Sequence, residues 1–244
     1  MKPVIEVCVD RIDSVRNCAL AGIDRIELCA ALSEGGLTPS LAFLREARKQ
    51  FRGKIMMMIR PRCGDFLYSE AEKNIMLDEI SVARDHGADG IVFGCLLRDG
   101  CIDEEFAATM IEKASAMDMT FHRAFDVTPN LFTSLETLIR LGIPRVLTSG
   151  GQPDVWLGLS TIATLITHSN QRISILPGGG LTAPRAAELI QQTGTTEIHL
   201  SARSKFPSSM QYRRHDIPMG ASQILDEYTH NAADVDILQQ LRNL

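Results

Sequence analysis

The order of apolar runs along this chain predicts an α/β fold, a single (β/α)8 TIM barrel. Three observations predict it. Eight short β-rich runs recur about every 20 to 36 residues, segments of helical periodicity separate them, and no linker-like composition shift interrupts the alternation. Strict alternation forces parallel strands joined by crossover helices, and eight such units in 244 residues suit a closed barrel. The competing arrangement is a Rossmann-like sheet, but no Gly-x-Gly-x-x-Gly follows the first run, where a dinucleotide would need close backbone approach. No nucleotide cofactor is expected.

The first run, VIEVCV from Val4, sets Ile5, Val7 and Val9 on one face and Glu6, Cys8 and Asp10 on the other. In a barrel the apolar face meets the helices, so the second set points inward. RIELC from Arg25 repeats the pattern, with Arg25, Glu27 and Cys29 inward, and KIMMMIR from Lys54 turns Met56, Met58 and Arg60 in. GIVFGC opens at Gly90. MTFHRAF from Met119 divides Phe121 and Phe125 from His122, Ala124 and Asp126, with Arg123 emerging near the strand end. RVLTSG from Arg145 and ISILPG from Ile173 follow, and EIHLSA from Glu197 turns His199 and Ser201 inward. Helix starts are marked by Thr38-Pro39 before LAFLREARKQ and by Thr182 with Pro184 before AAELI. After the eighth run, residues 203–220 have no period and read as an irregular loop, for which a lid, a subunit contact and disorder are all open. Residues 221–244 are expected to be helical and to complete one domain.

Composition narrows the partners. A hydrophobic fraction of 45% and a charged fraction of 23% support a sizeable core. Net charge is −5, and there is no basic cluster beyond Arg213-Arg214, so a nucleic-acid footprint is missing. A small anionic molecule or an ion is the expected partner, and a homo-oligomer is open. The N-terminus lacks a signal-peptide pattern, and the most apolar stretch, Lys54 to Ile59, is far short of the ~20 residues of a membrane span. A soluble, cytoplasmic protein is expected. Six cysteines without a C-x-x-C read as free thiols, several of them core fillers.

An interior kept only for stability would be layered with Val, Ile and Leu, whereas this one carries Glu, Arg, His and Asp on at least four strands. Such groups are costly to bury unless they pair with one another, as Glu27 could with Arg60, or serve a ligand. After the sixth run stands Thr148-Ser149-Gly150-Gly151, and after the seventh Pro177-Gly178-Gly179-Gly180. These loops are tight turns or an anion cradle, in which Gly150, Gly178, Gly179, Gly180, Ser201 and Arg203 would hold a phosphate beside a helix N-terminus.

Several strings in this order are specific: EVCVD at Glu6 to Asp10, DRIELC at Asp24 to Cys29, SEGGLTPS at Ser33 to Ser40, and MIRPR with GDF between Met58 and Phe66. They continue with FHRAFD at Phe121 to Asp126, LTSGG at Leu147 to Gly151, PGGG at Pro177 to Gly180 and SAR at Ser201 to Arg203. Through them the chain resembles the copper homeostasis protein CutC family along nearly its whole length, with one departure at Cys63, where the family usually has glycine. The resemblance implies a barrel, a cytoplasmic location and a role in copper homeostasis, with copper(I) meeting Cys8 and Cys29. Adjacent strands and soft thiols permit that site, with Met58 inward on the next strand. The competing class is an enzyme on a small phosphate- or carboxylate-bearing metabolite: a lyase, isomerase or hydrolase. There Glu27, His122 and Asp126 are acid–base candidates, Arg60 joins them in the catalytic set, and Arg62 supports the anion. A binding barrel without turnover is the third class.

Overall fold

In a computed structural model, which describes residues 2–217 and 226–244, each of the eight runs forms a strand. They are β1 (Val4–Val9), β2 (Arg25–Leu28), β3 (Lys54–Met58), β4 (Gly90–Phe93), β5 (Asp118–Phe121), β6 (Arg145–Thr148), β7 (Ser174–Pro177) and β8 (Glu197–Leu200). All neighbours pair in parallel in the order β7-β6-β5-β4-β3-β2-β1-β8. The remaining seam is drawn together by a parallel bridge between Gly178 and His199 and by the Thr195 hydroxyl, which donates to the Ile175 carbonyl at 3.1 Å. This is a TIM barrel.

Helices α1 (Ile12–Ala21), α2 (Leu41–Gln50), α3 (Glu70–Asp85), α4 (Glu104–Ala114), α5 (Leu131–Arg140), α6 (Leu159–Ser169) and α7 (Ala183–Thr193) fill the crossovers. The starts of α2, α3, α4 and α5 follow from side chains that accept orphan amides. Ser69 and Glu72 form a capping box on α3, and Asn130 accepts from Phe132 and Thr133 on α5. On α2 the cap is Ser40 rather than the expected Thr38. Thr38 instead exchanges two bonds with the backbone of Arg60, at 3.0 and 2.9 Å, and so fastens the end of β3.

The two strand faces separate as their alternation requires. Val7, Leu28, Ile59 and Phe121 join the main core between strands and helices, while Cys29, Met56, Met58 and Val92 form a small apolar cluster of their own inside the barrel. Below that cluster, toward the strand N-termini, the interior is ionic. Arg25 pairs with Glu6 and Glu197, Arg145 with Glu197 at 2.8 Å and Asp118 at 3.3 Å, and Ser174 donates to Glu197 at 2.9 Å.

Beyond the cap of α2, the chain departs from the sequence expectation in two further places. The fifth strand stops at Phe121, and Arg123–Val127 winds into a one-turn 3-10 helix capped by His122. Residues 203–220 are not uniformly irregular, nor are 221–244 wholly helical. Arg203–Pro207 (β9) pairs antiparallel with Thr229–Ala233 (β10), followed by a single helix, α8 (Val235–Arg242). β9 alternates only between exposed and half-buried positions and β10 reads THNAA, so neither carries the apolar period by which a strand is recognised in sequence. The rest of the expected helical stretch, 221–225, and residues 218–220 lie outside the described residues.

Burial pushes Glu6, Glu197 and Asp118 up, but the arginines outweigh it: Arg25 foremost for Glu6, held at about 2, and Arg145 foremost for the other two, which also lie below their ordinary values. The stabilisation is complete above the unfolded carboxylate range and is lost as pH falls through that range toward the folded values. Glu197→Gln leaves two buried guanidinium groups short of charge and should cost about 3 to 5 kcal/mol at pH 7 in urea unfolding. The difference from wild type should shrink below about pH 4.

Candidate functional site

A pocket of about 510 Å³ opens at the C-terminal ends of the strands, the end at which barrels place their chemistry. Its deep part is built by Cys8 from β1, Glu27 from β2 and His199 from β8. Met58, Arg60, Phe66 and His122 form one wall. Its rim includes Arg123, the stretch Gly179 to Thr182 leading into α7, and Ser201 and Arg203.

The two histidines are opposites. His122 is 4% exposed, and its Nδ1 accepts from the Ala124 amide at 3.1 Å, so the proton of the neutral ring sits on Nε2. Among the described residues Nε2 has no partner. Burial, helped by the nearby Arg60 charge, pushes His122 down to about 3, and the ring is neutral at pH 7. His199 faces carboxylates. Its Nδ1 lies 2.7 Å from Glu6 and its Nε2 3.9 Å from Glu27. Burial alone would lower it, but Cys8 and Glu27, with the bond to Glu6, hold it well above its ordinary value. Glu27 is pushed up by burial, accepts from the Cys29 thiol at 3.4 Å through Oε2, and has no partner for Oε1 among the described residues.

Of the two expected copper ligands, only Cys8 lines the pocket. β1 and β2 pair Cys8 with Glu27, so Cys29 stands two residues farther along and joins the apolar interior cluster, fully buried. Burial raises its thiol well above the usual range. Arg60 reaches the pocket, but its guanidinium donates to the carbonyls of Glu34 (2.9 Å), Gly36 (3.1 Å) and Gly64 (3.0 Å), clamping two loops, while its Nε has no partner among the described residues. Arg62 points away, paired with Glu72 and Asp65.

Asp126 does not line the pocket either. Its carboxylate accepts from Arg123 Nε, the Thr148 hydroxyl, the amide and hydroxyl of Ser149, and the Gly151 amide. Every lone pair is committed to shaping the loop after β6. Gly150 serves the same loop, because a side chain there would sit 2.6 Å from the Gly158 carbonyl oxygen. Gly178 spends its amide on the Thr148 carbonyl at 3.0 Å. Gly179, Gly180, Ser201 and Arg203 do reach the rim. The sequence reading missed Arg123, Phe66 and Thr182 there, and it gave His199 an inward face without a role.

The fold and the cleft define a TIM barrel with ionisable side chains gathered at the C-terminal ends of its strands. The chain matches the CutC family over residues 3–204 and belongs to it. It is 43% identical over 238 residues to the copper homeostasis protein cutC homolog of Homo sapiens, covering 98% of this chain and 87% of that one. The family protein CutC of Mesorhizobium japonicum is 44% identical over 236 residues, 97% and 92% of the two chains. The crystal structure of a copper homeostasis protein CutC from Streptococcus agalactiae superposes with a TM-score of 0.77 at 31% identity, covering 82% of this chain and 98% of that one. Among the described residues no helix is long and apolar enough to cross a membrane.

Asp126→Ala should destabilise the protein by about 3 kcal/mol or more, because five donors lose one buried charged acceptor. Urea unfolding and proteolysis within 149–158 measure it. Unchanged stability would return Asp126 to the list of acid–base candidates.

Proposed function

We propose that the chain is a cytoplasmic acid–base enzyme, an isomerase or lyase acting on a small phosphate- or carboxylate-bearing carbonyl compound. The observation that carries this reading is His122 Nε2–H, a buried donor on the wall of the pocket without an acceptor among the described residues. A neutral imidazole polarises a carbonyl oxygen by hydrogen bonding while charge develops there. Glu27, with one unpartnered oxygen and a proton retained more readily than usual, is placed in the same pocket to exchange that proton with substrate. The rim supplies the anion end: Arg203 adds positive charge there, and Ser201 adds a hydroxyl donor.

The names of the relatives tie the family to copper homeostasis, and copper(I) binding is the second reading. What favours it is that Cys8 and Met58, a thiol and a thioether, line one pocket. Cys29 fits that ligand set poorly, since its thiol is enclosed and donates to Glu27. If copper(I) is held here, Cys8→Ser should weaken it sharply against a competing chelator and Cys29→Ser should change little. Equal affinity of wild type and Cys8→Ser would reject the site.

For the enzyme reading, millimolar phosphate, sulfate or small carboxylates should raise the melting temperature by mass action, with the response reduced in Arg203→Ala. In a mass-spectrometric screen of cell metabolites, wild type should consume an anionic carbonyl compound that His122→Phe leaves intact. A flat thermal response together with an unchanged metabolite profile would sink this reading.

A further inference from the structure

Among the described residues Glu27 Oε1, a carboxylate oxygen closed off from solvent, has no hydrogen-bond partner, and the groups gathered around that carboxylate include the Cys8 thiol and the His199 imidazole. We propose that Cys8, Glu27 and His199 form a binding site for a divalent cation of the zinc class, open on its fourth side to the pocket. One ligand atom from each residue lies within 4.8 Å of the other two. In a tetrahedral zinc site the ligand atoms stand roughly 3.5 Å apart, so a small inward rotation of the side chains closes the shell. His199 Nε2 already lies 3.9 Å from Glu27 Oε2.

The surroundings are those of a ligand histidine. Its other nitrogen, Nδ1, is held by Glu6 at 2.7 Å, which fixes the ring and turns Nε2 toward Glu27. Glu6 is in turn held by Arg25, so the support is anchored in the ionic base of the barrel. A set of one sulfur, one nitrogen and one oxygen suits a borderline ion. Magnesium and calcium avoid thiolate, and copper(I) would gain little from the carboxylate. The cleft gives entry and leaves room for a water or a substrate oxygen.

The consequence deepens the enzyme reading and rests on it: a cation that takes the Glu27 carboxylate as ligand denies it a proton, so the cation regulates the acid–base site by occupying it. Cobalt(II) is the probe. Wild type should bind one equivalent and show near-ultraviolet thiolate-to-cobalt charge transfer, and zinc should displace it. Cys8→Ser should abolish the band, and Glu6→Gln should weaken zinc by about 10- to 100-fold through His199. Cys29→Ser should retain the band. Zinc should also protect Cys8 of the wild-type protein from alkylation by iodoacetamide, a readout that needs no variant to fold. A band that survives Cys8→Ser, a band that disappears with Cys63→Ser and Cys101→Ser, or equal Cys8 alkylation with and without zinc overturns the site. None of these measurements involves an anion or a turnover. Loss of the zinc site with an intact anion response leaves the enzyme reading standing, and the reverse result removes that reading alone.

Discussion

Glu6 is the constraint on which the rest of the barrel depends. Its carboxylate is fully buried, with one oxygen on Arg25 and the other on His199. An unpaired carboxylate at that depth would cost several kcal/mol, so Arg25 must come inward. Arg25 then requires Glu197, Glu197 accepts Arg145, and Arg145 reaches Asp118. The chain of pairs crosses β2, β1, β8, β6 and β5. A one-residue slip in any of these strands would turn its member of the chain outward into the apolar layer beneath the helices, so the ionic base fixes register as well as closing the barrel.

The same carboxylate links the base to the pocket. Because Glu6 holds His199, the ring cannot rotate freely, and its second nitrogen is presented to Glu27. In the same pocket His122 is oriented by a backbone amide instead and meets Arg60 rather than a carboxylate. Two imidazoles of equal intrinsic basicity are thereby driven apart, one toward the charged form and one toward the neutral form. Separation of titratable groups by environment within one cleft gives two hydrogen-bond donors of different charge at a single pH, a neutral one on His122 and a cationic one on His199.

The strand starts and the inward set were legible in the sequence because side-chain alternation is a covalent property of an extended chain. Glu6, Cys8, Glu27, Met58, Arg60, His122 and His199 fall where that alternation puts them. What was not legible is the partner of each polar group. Asp126 and Arg62 are ionisable and stand in the right strings, yet their bonds end on local loop groups. Arg123 enters the rim only because the chain leaves β5 early and turns into a 3-10 helix. Cys29 shares the parity of Cys8, but the strand register sets it beyond the level of Cys8, and parity alone carries no information on level. The β9–β10 hairpin is joined across a long stretch of sequence by backbone bonds, which leave little trace in side-chain type.

The two glycine loops show the same distinction within one chemical type. In sequence, Gly150-Gly151 and Gly178-Gly179-Gly180 are equivalent invitations to an anion. At Gly150 the requirement is close packing of backbone on backbone, and the loop is consumed by its own structure. At Gly179 the backbone has φ +110°, a conformation that side chains rarely adopt, and a Cβ would stand 3.1 Å from Arg123 Nη1. The glycine there lets the guanidinium of Arg123 lie against the entrance to α7, so that a positive side chain and a helix N-terminus share one rim. Bare backbone at Gly179 thus serves the approach of a charged side chain, whereas at Gly150 it serves the packing of backbone on backbone, and the number of glycines alone does not separate the two.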